Sequence, residues 1–317
     1  LLGAWSLAAL WPTASAAPPT SPEAQAISYL SREVPRWTKE HKCFSCHNNG
    51  DAARALIAAG RQKQTLASEM LQDTSRFLAK PDDWDMNGPD GPFKDKRLAR
   101  LHFAMALVDA HEEKLVKEHE PVKRAAEMIA EIQDANGSWP IDGGEELGSS
   151  ITYGRFLRTH FGRQVLLRTD ARKHKDAIAR AEKWLTETKA ESVVDAAAVL
   201  LAFPADVPMA EGINRQRERA LRIIAKGQAK EGGWGPYVTS PPEVFDTALV
   251  LLALAGQRDL AEYKPRLAKG REFLIAQQKD DGSWEETTRP SGAESYAQRV
   301  STTAWALRAL LATRALA

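Results

Sequence analysis

Cys43-Phe44-Ser45-Cys46-His47 sets two thiols three positions apart, with an imidazole directly after the second. At this spacing, C-x-x-C-H, the thiols can add across the two vinyl groups of a porphyrin and the histidine can reach its iron. The chain holds two cysteines in all, so neither is committed to a disulfide elsewhere. Cys43 and Cys46 are therefore expected to carry haem c covalently, with His47 as the axial ligand to the haem iron. Two other chemistries use similar residues. An exported C-x-x-C can be a redox disulfide, which leaves His47 without a role. His41 and His47 with the thiols suggest a small zinc site, for which an imidazole adjoining Cys46 is poorly placed.

The amino terminus points the same way. Leu1 to Trp11 is an uncharged apolar run, too short to cross a bilayer. Small residues follow at Ala14 and Ala16, which is the h-region and A-x-A site of a secretory signal peptide. Cleavage is expected after Ala16; a charged n-region and an initiating Met are not in the chain. Covalent haem attachment takes place outside the bacterial cytoplasm, so a periplasmic or otherwise exported protein is expected. Net charge is +1, with acidic and basic residues interleaved. No basic stripe suggests nucleic acid, and no segment after the leader has the length and apolarity of a transmembrane span.

The rest of the chain repeats. Gln133 to Trp139 (QDANGSW), Gln228 to Trp234 (QAKEGGW) and Gln278 to Trp284 (QKDDGSW) superimpose without gaps as Q-x-x-x-G-x-W. Nine positions before each Gln stands a basic residue followed by a small one: Arg124-Ala125, Arg219-Ala220 and Lys269-Gly270. The apolar residues between keep a helical period. Each stretch thus predicts a helix running into a glycine turn whose Trp packs back on the helix end. Alanine-rich second helices are expected from Asp195, Asp246 and Thr302, with weaker relatives from Asp51, His102 and Thr152. The first helices fall near 23–40, 65–80, 121–133, 173–189, 214–228 and 264–278, and repeats one, two and four lack the Trp turn. Six helical hairpins at a period of about 50 residues read as a solenoid or a closed ring. Alanine-rich helices would line the axis, and longer amphipathic ones would face water.

The Lys/Arg-Gly/Ala, helix end and Q-x-x-x-G-x-W pattern resembles the QW repeat of squalene-hopene and oxidosqualene cyclases, whose toroid is shared by the protein prenyltransferase β subunits. The resemblance covers roughly residues 20–317, strongest after Glu120. It implies an all-α fold, an (α/α)6 toroid of six helical hairpins with a central cavity. The expected organisation is a signal peptide at 1–16, a haem-bearing first hairpin at 17–60, and the remaining hairpins of the toroid at 61–317. Neither catalytic set of these families carries over. Cyclases of this kind protonate an alkene with Asp-x-Asp-Asp before Thr-Ala. Here Thr247-Ala248 follows Glu243-Val244-Phe245-Asp246, so Asp246 matches the last Asp and Phe245 stands at the protonating position. Asp82-Asp83-Trp84-Asp85 is rich in carboxylates but has the wrong order. The prenyltransferase zinc ligands would fall on Asp195, Ala197 and Asp246, without the thiol or the imidazole.

In the first repeat, Cys43 to Gly50 takes the place of the QW turn, so the haem motif should lie in the first hairpin turn, on the rim where outer helices hand over to inner ones. Met86, in the second-repeat turn, and His102, on the second inner helix, are the candidates for a distal ligand to the iron; an open sixth position is the other possibility. Met70, His111, His119, His160 and His174 are less well placed. Asp51, His102, Thr152, Asp195, Asp246 and Thr302 occupy equivalent places. They read either as helix caps or as a polar ring joined by Tyr153, Tyr296 and Arg299. Trp139, Trp234 and Trp284 read as turn staples. The expected function is electron transfer by an exported c-type haem protein with a redox partner protein. The alternative is a haem enzyme, or a cyclase-like enzyme, acting on a hydrophobic small molecule in the cavity. No catalytic residue is assigned.

Overall fold

A computed structural model describes residues 21–64, 69–86, 95–140, 147–204, 210–257, 260–289 and 292–316. The expected leader, 1–16, lies outside them. The described residues form twelve α-helices in six antiparallel pairs. The outer members are α1 (Pro22–His41), α3 (Gln72–Leu78), α5 (Glu120–Glu131), α7 (Lys175–Glu187), α9 (Glu211–Gly227) and α11 (Leu260–Ala276). The inner members are α2 (Ala53–Arg61), α4 (Lys96–Glu112), α6 (Gly154–Asp170), α8 (Val193–Ala202), α10 (Val244–Ala255) and α12 (Tyr296–Thr313). Composition sorts the two layers. α10 reads VFDTALVLLALA and is buried nearly all round, whereas α9 buries one stripe, Gln216, Ala220, Ile224 and Gly227, at helical spacing.

Inner helices pack in chain order, and α12 packs on α10 on one side and on α2 and α1 on the other. The array is therefore a closed (α/α)6 toroid rather than an open solenoid. Each Q-x-x-x-G-x-W turn clasps its neighbour. The indole N–H groups of Trp139, Trp234 and Trp284 donate to the carbonyls of Ile129, Ile224 and Leu274 at 2.8, 2.8 and 2.7 Å. The Gln133, Gln228 and Gln278 amides each donate twice. One bond closes their own turn, and the other reaches the next outer helix at Ala177, Arg266 or, for the last, Pro22. The final clasp thus lands on α1 and shuts the ring. A buried ion pair between Arg271 and Glu23 joins the same two helices.

Three expectations change. Inner helices α4 and α12 begin at Lys96 and Tyr296, six residues before the expected His102 and Thr302, because Asp95 and Ser295 cap them; Asp95 accepts from the Leu98 N–H and Ser295 from the Gln298 N–H. Repeat two keeps a staple, Trp84, fully buried and donating to the Phe77 carbonyl at 3.4 Å. The C-x-x-C-H segment is not wholly a turn: Cys46–Ala52 is a π-helical run that leads straight into α2.

Gly282 sits at φ +87°, and a Cβ there would overlap the Gln25 carbonyl oxygen of α1. Gly282→Ala should lower stability to urea by about 3 kcal/mol, from backbone strain of about 1–2 kcal/mol and the opened clasp. Gly292→Ala, at φ +73° with nothing within 4 Å of its Cβ, should lose only the backbone part, about 1 kcal/mol. Equal losses would show that the α1 contact does not hold the ring.

Candidate functional site

The motif spans the short segment after α1 and the first two residues of the π-helical run, Cys46 and His47. α1 ends at Lys42 in the left-handed region, φ 55°, and Ser45 caps the π-helical run by accepting from the His47 N–H at 3.2 Å. Asn49 ties the segment down. Its carbonyl oxygen accepts from the Ser45 N–H at 2.9 Å, and its amide donates to Thr74 on α3 at 2.8 Å. Neither cysteine is in a disulfide; Cys43 is buried and Cys46 half-buried. Burial, with the Asp51 carboxylate nearby, pushes the Cys46 thiol up to about 12.

Asp51 organises the interior side of the motif. It is buried on the π-helical run and accepts from the Tyr153 hydroxyl and, at 2.7 Å, from the Ser301 hydroxyl. These hydroxyl protons are thereby committed, so the two oxygens act as acceptors toward the imidazoles. Ser301 Oγ lies 3.1 Å from His47 Nδ1, and Tyr153 Oη lies 3.0 Å from His102 Nδ1. This places a ring proton on Nδ1 of each histidine. His47 Nε2 is left as a lone-pair atom 3.5 Å from Cys46 Sγ. His102 Nε2 is buried and has no hydrogen-bond partner. The two rings stand 5.9 Å apart, nearly perpendicular, and His102 stacks on Tyr153 at 4.2 Å. Burial, then the neighbouring His102, lowers His47 to about 4 against the pull of Asp51. Asp51 itself is held below the usual carboxylate range: burial works against ionisation, but His102 and the hydroxyl donors outweigh it.

Outside the ring, a groove of about 380 Å³ runs past Cys43, with Phe44 stacked on Phe77 at 4.0 Å as its wall and Met86 at its edge. The structure thus brings both distal candidates near the motif on different sides, His102 beside His47 and Met86 beside Cys43. Met86 is 61% exposed, whereas His102 is fully buried. The thiols and the imidazole fit the attachment of haem c: neither cysteine is in a disulfide, and the His47 ring proton is held on Nδ1, away from Nε2. The groove is lined from the Cys43 side and does not reach His47. His41 stacks on Trp37 at 4.0 Å on the outer surface, away from this network. His111 and His119 pair with each other at 5.3 Å.

The polar ring resolves into separate roles. Asp195 caps, forming a capping box with Ser192. His102 and Thr302 lie deep in their helices; Thr302 donates to Ser150 at 3.0 Å. Asp246 is fully buried against Arg289, at 2.8 Å, and burial raises it to about 7 despite that cation. Tyr296 donates to Glu33 at 3.1 Å, and Arg299 pairs with Glu286 at 2.9 Å. Ser301, which fixes the His47 tautomer, carries no motif and was not singled out by spacing.

The ring axis is filled in its upper half by Tyr153, Phe161, Phe245 and Trp305. Below them, at the far ends of the inner helices, lies a cavity of about 370 Å³ lined from all six. Its walls carry Arg54, Arg168 and Arg308 as well as Leu201, Leu252 and Trp305. Asp109 bonds Arg54 at 2.9 Å and Arg168 at 2.6 Å. Burial would push this carboxylate up, but Arg54 and then Arg168 outweigh it and hold Asp109 at about 2.

Comparison with known proteins agrees with this architecture. Residues 191–317 match the family model of the squalene-hopene cyclase C-terminal domain. Lanosterol synthase erg7A of Aspergillus fumigatus is 33% identical over 108 residues, 32% of this chain; the match spans 14% of that enzyme's length. Among solved structures, the type II terpene cyclase MstE from Scytonema superposes with a TM-score of 0.59 at 14% identity, covering 93% of this chain and 99% of the other. A glycosyl hydrolase of family 88 from Bacteroides vulgatus superposes with a TM-score of 0.60 at 14% identity, covering 91% and 99%. These likenesses are of fold: the chain is a terpenoid-cyclase-like α/α toroid. Among the described residues, no helix is long and apolar enough to cross a membrane.

Asp109 gives a pH signature. Its folded value lies below its unfolded value of about 4, so its contribution is full above pH 4 and is lost as pH falls through about 2. Asp109→Asn should lower stability at pH 7 by about 3 kcal/mol, since the buried Arg54 guanidinium loses its counter-charge and Arg168 is left with Glu112 alone. It should also flatten the fall in stability between pH 4 and 2. Urea unfolding across that range measures both.

Proposed function

We propose that this chain is an exported c-type haem protein that transfers electrons from a group fixed to the first hairpin of an α/α toroid. The observation that supports this most is the C-x-x-C-H segment itself: two thiols outside any disulfide, then an imidazole whose Nδ1 proton is held by Ser301 and, through it, by Asp51. Cys43 and Cys46 would hold haem c through thioethers, and His47 Nε2 would serve as proximal ligand. Bound there, the group supplies a one-electron ferric/ferrous couple. Asp51 keeps both ring protons on the Nδ1 atoms, which leaves the Nε2 lone pairs available. His102 is the favoured distal ligand, because its buried Nε2 has no partner in the protein and its ring is locked by Tyr153 and Asp51. Met86, on the exposed edge of the groove, is the second choice. The leader reading at 1–16 supports export, and the rim position supports docking of a redox partner protein.

A second reading, an enzyme acting on a hydrophobic molecule, draws on the match over residues 191–317 and on the Scytonema cyclase, one form of which holds geranylgeranyl dihydroxybenzoate. It lacks the acid, since Phe245 is buried against Trp305 and Asp246 is tied to Arg289. Guanidiniums around the axial cavity would also repel a carbocation at short range.

Protein made with its leader in a host competent for cytochrome c maturation should keep haem through denaturing electrophoresis. Cys43→Ser with Cys46→Ser should remove the haem and leave the helical far-UV signal. The intact protein should be low-spin in both redox states and indifferent to cyanide and carbon monoxide. His102→Ala should give a high-spin form that binds both, while Met86→Ala changes neither. A colourless wild-type band under these conditions would sink the haem reading. Turnover of a polyprene, lost in Asp246→Asn, would favour the second.

A further inference from the structure

We propose that the axial cavity binds a small organic acid, with its carboxylate on Arg308 and Arg54 and its apolar body against Leu201, Leu252 and Trp305. The charges in the cavity do not balance. Of its two lining carboxylates, Asp109 is shared by Arg54 and Arg168, and Glu112 by Arg168 and Arg61. Arg308 is left over. Among the described residues its close contact is the Trp305 ring, with the guanidinium carbon 5.0 Å from the ring centre, and it has no hydrogen bond or ion pair.

Two further groups in the cavity wall lack partners. Arg54 is 3% exposed, and its Nη1 makes no hydrogen bond; His160 is 6% exposed, and neither does its Nδ1. Buried polar groups without a hydrogen-bond partner are rare in folded proteins and mark places where another molecule belongs. An anion seated between Arg308 and Arg54 Nη1 would satisfy both with charge-assisted bonds, and a planar guanidinium matches a carboxylate fork.

Two considerations narrow the ligand. All six inner helices point their carboxyl-terminal, partially negative ends at this rim, which disfavours an anion at the mouth. That effect fades beyond the last turn, and Arg308 lies five residues before the end of α12 at Thr313. The anion therefore belongs deep, beside Arg308, with the rest of the ligand toward the rim. The partly exposed Leu201 and Leu252 side chains in the cavity wall would be left bare by inorganic phosphate, whereas an organic acid covers them. About 370 Å³ is at the small end of the range for ligand sites. Entry is open, since the rim side chains Arg61 and Glu112 are 38% and 43% exposed.

Calorimetric titration of the full chain with hexanoate and benzoate tests this, against hexanamide, benzamide and inorganic phosphate. Both acids should bind, with the amides at least tenfold weaker and phosphate weaker than either acid. Arg308→Gln should lose binding at least tenfold while the protein stays folded, with at most a small fall in the urea midpoint, because Arg308 holds no hydrogen bond or ion pair in the fold and gives up only its contact with the Trp305 ring. Arg308→Lys should keep part of it. Amides binding as tightly as acids, phosphate binding in preference to them, no binding of either acid at millimolar concentration, or full binding by a folded Arg308→Gln protein would each overturn the proposal.

Discussion

A glutamine amide that spans two repeats is the contact on which the toroid depends. In each complete turn it donates once to its own glycine carbonyl and once to the neighbouring outer helix, while the indole locks the turn to the helix before it. Applied along a line, this clasp would build an open array. Applied at Gln278, it lands on Pro22, and the array becomes a ring. In the first repeat Asn49 does the work of the glutamine: it accepts from the Ser45 N–H of its own turn and donates to Thr74 on the next outer helix, α3. The clasp is thus kept by a residue beside the thiols and the imidazole rather than by Cys43, Cys46 or His47.

Closure also explains why a carboxylate can sit at the centre of the motif. Asp51 is buried, and a buried charge is tolerated only when it is hydrogen-bonded. Its donors come from α6 and α12, which reach it only in a closed ring. The same carboxylate, acting through Tyr153 and Ser301, sets where the protons of His102 and His47 reside. A local network of this kind rises or falls as a unit, so the ring and the chemistry of its rim are coupled.

Much of the fold was legible because the signals are local. Three Q-x-x-x-G-x-W copies and the alternation of alanine-rich with amphipathic helices give six hairpins. Helix starts were less legible: the alanine-rich pattern of α4 and α12 sets in a turn or more after the Asp95 and Ser295 caps, and Trp84 stands in a turn of different length. At the site, Cys43, Cys46 and His47 announce themselves by spacing. Ser301 does not, since it meets His47 across 254 positions through closure alone. The charged axial cavity was illegible for the same reason. Arg54, Asp109, Arg168 and Arg308 stand on four helices, each with the ordinary look of a solvated charge, and only the ring turns them inward together.

The most direct measurement is the mass of the peptide spanning Cys43 to His47, taken from protein matured in a host competent for cytochrome c biogenesis. Attachment through both thiols predicts that this peptide gains the mass of one haem, with no free thiol left to alkylate. The same peptide at its unmodified mass, with Cys43 and Cys46 both alkylated or joined in a disulfide, would contradict a haem centre on this rim.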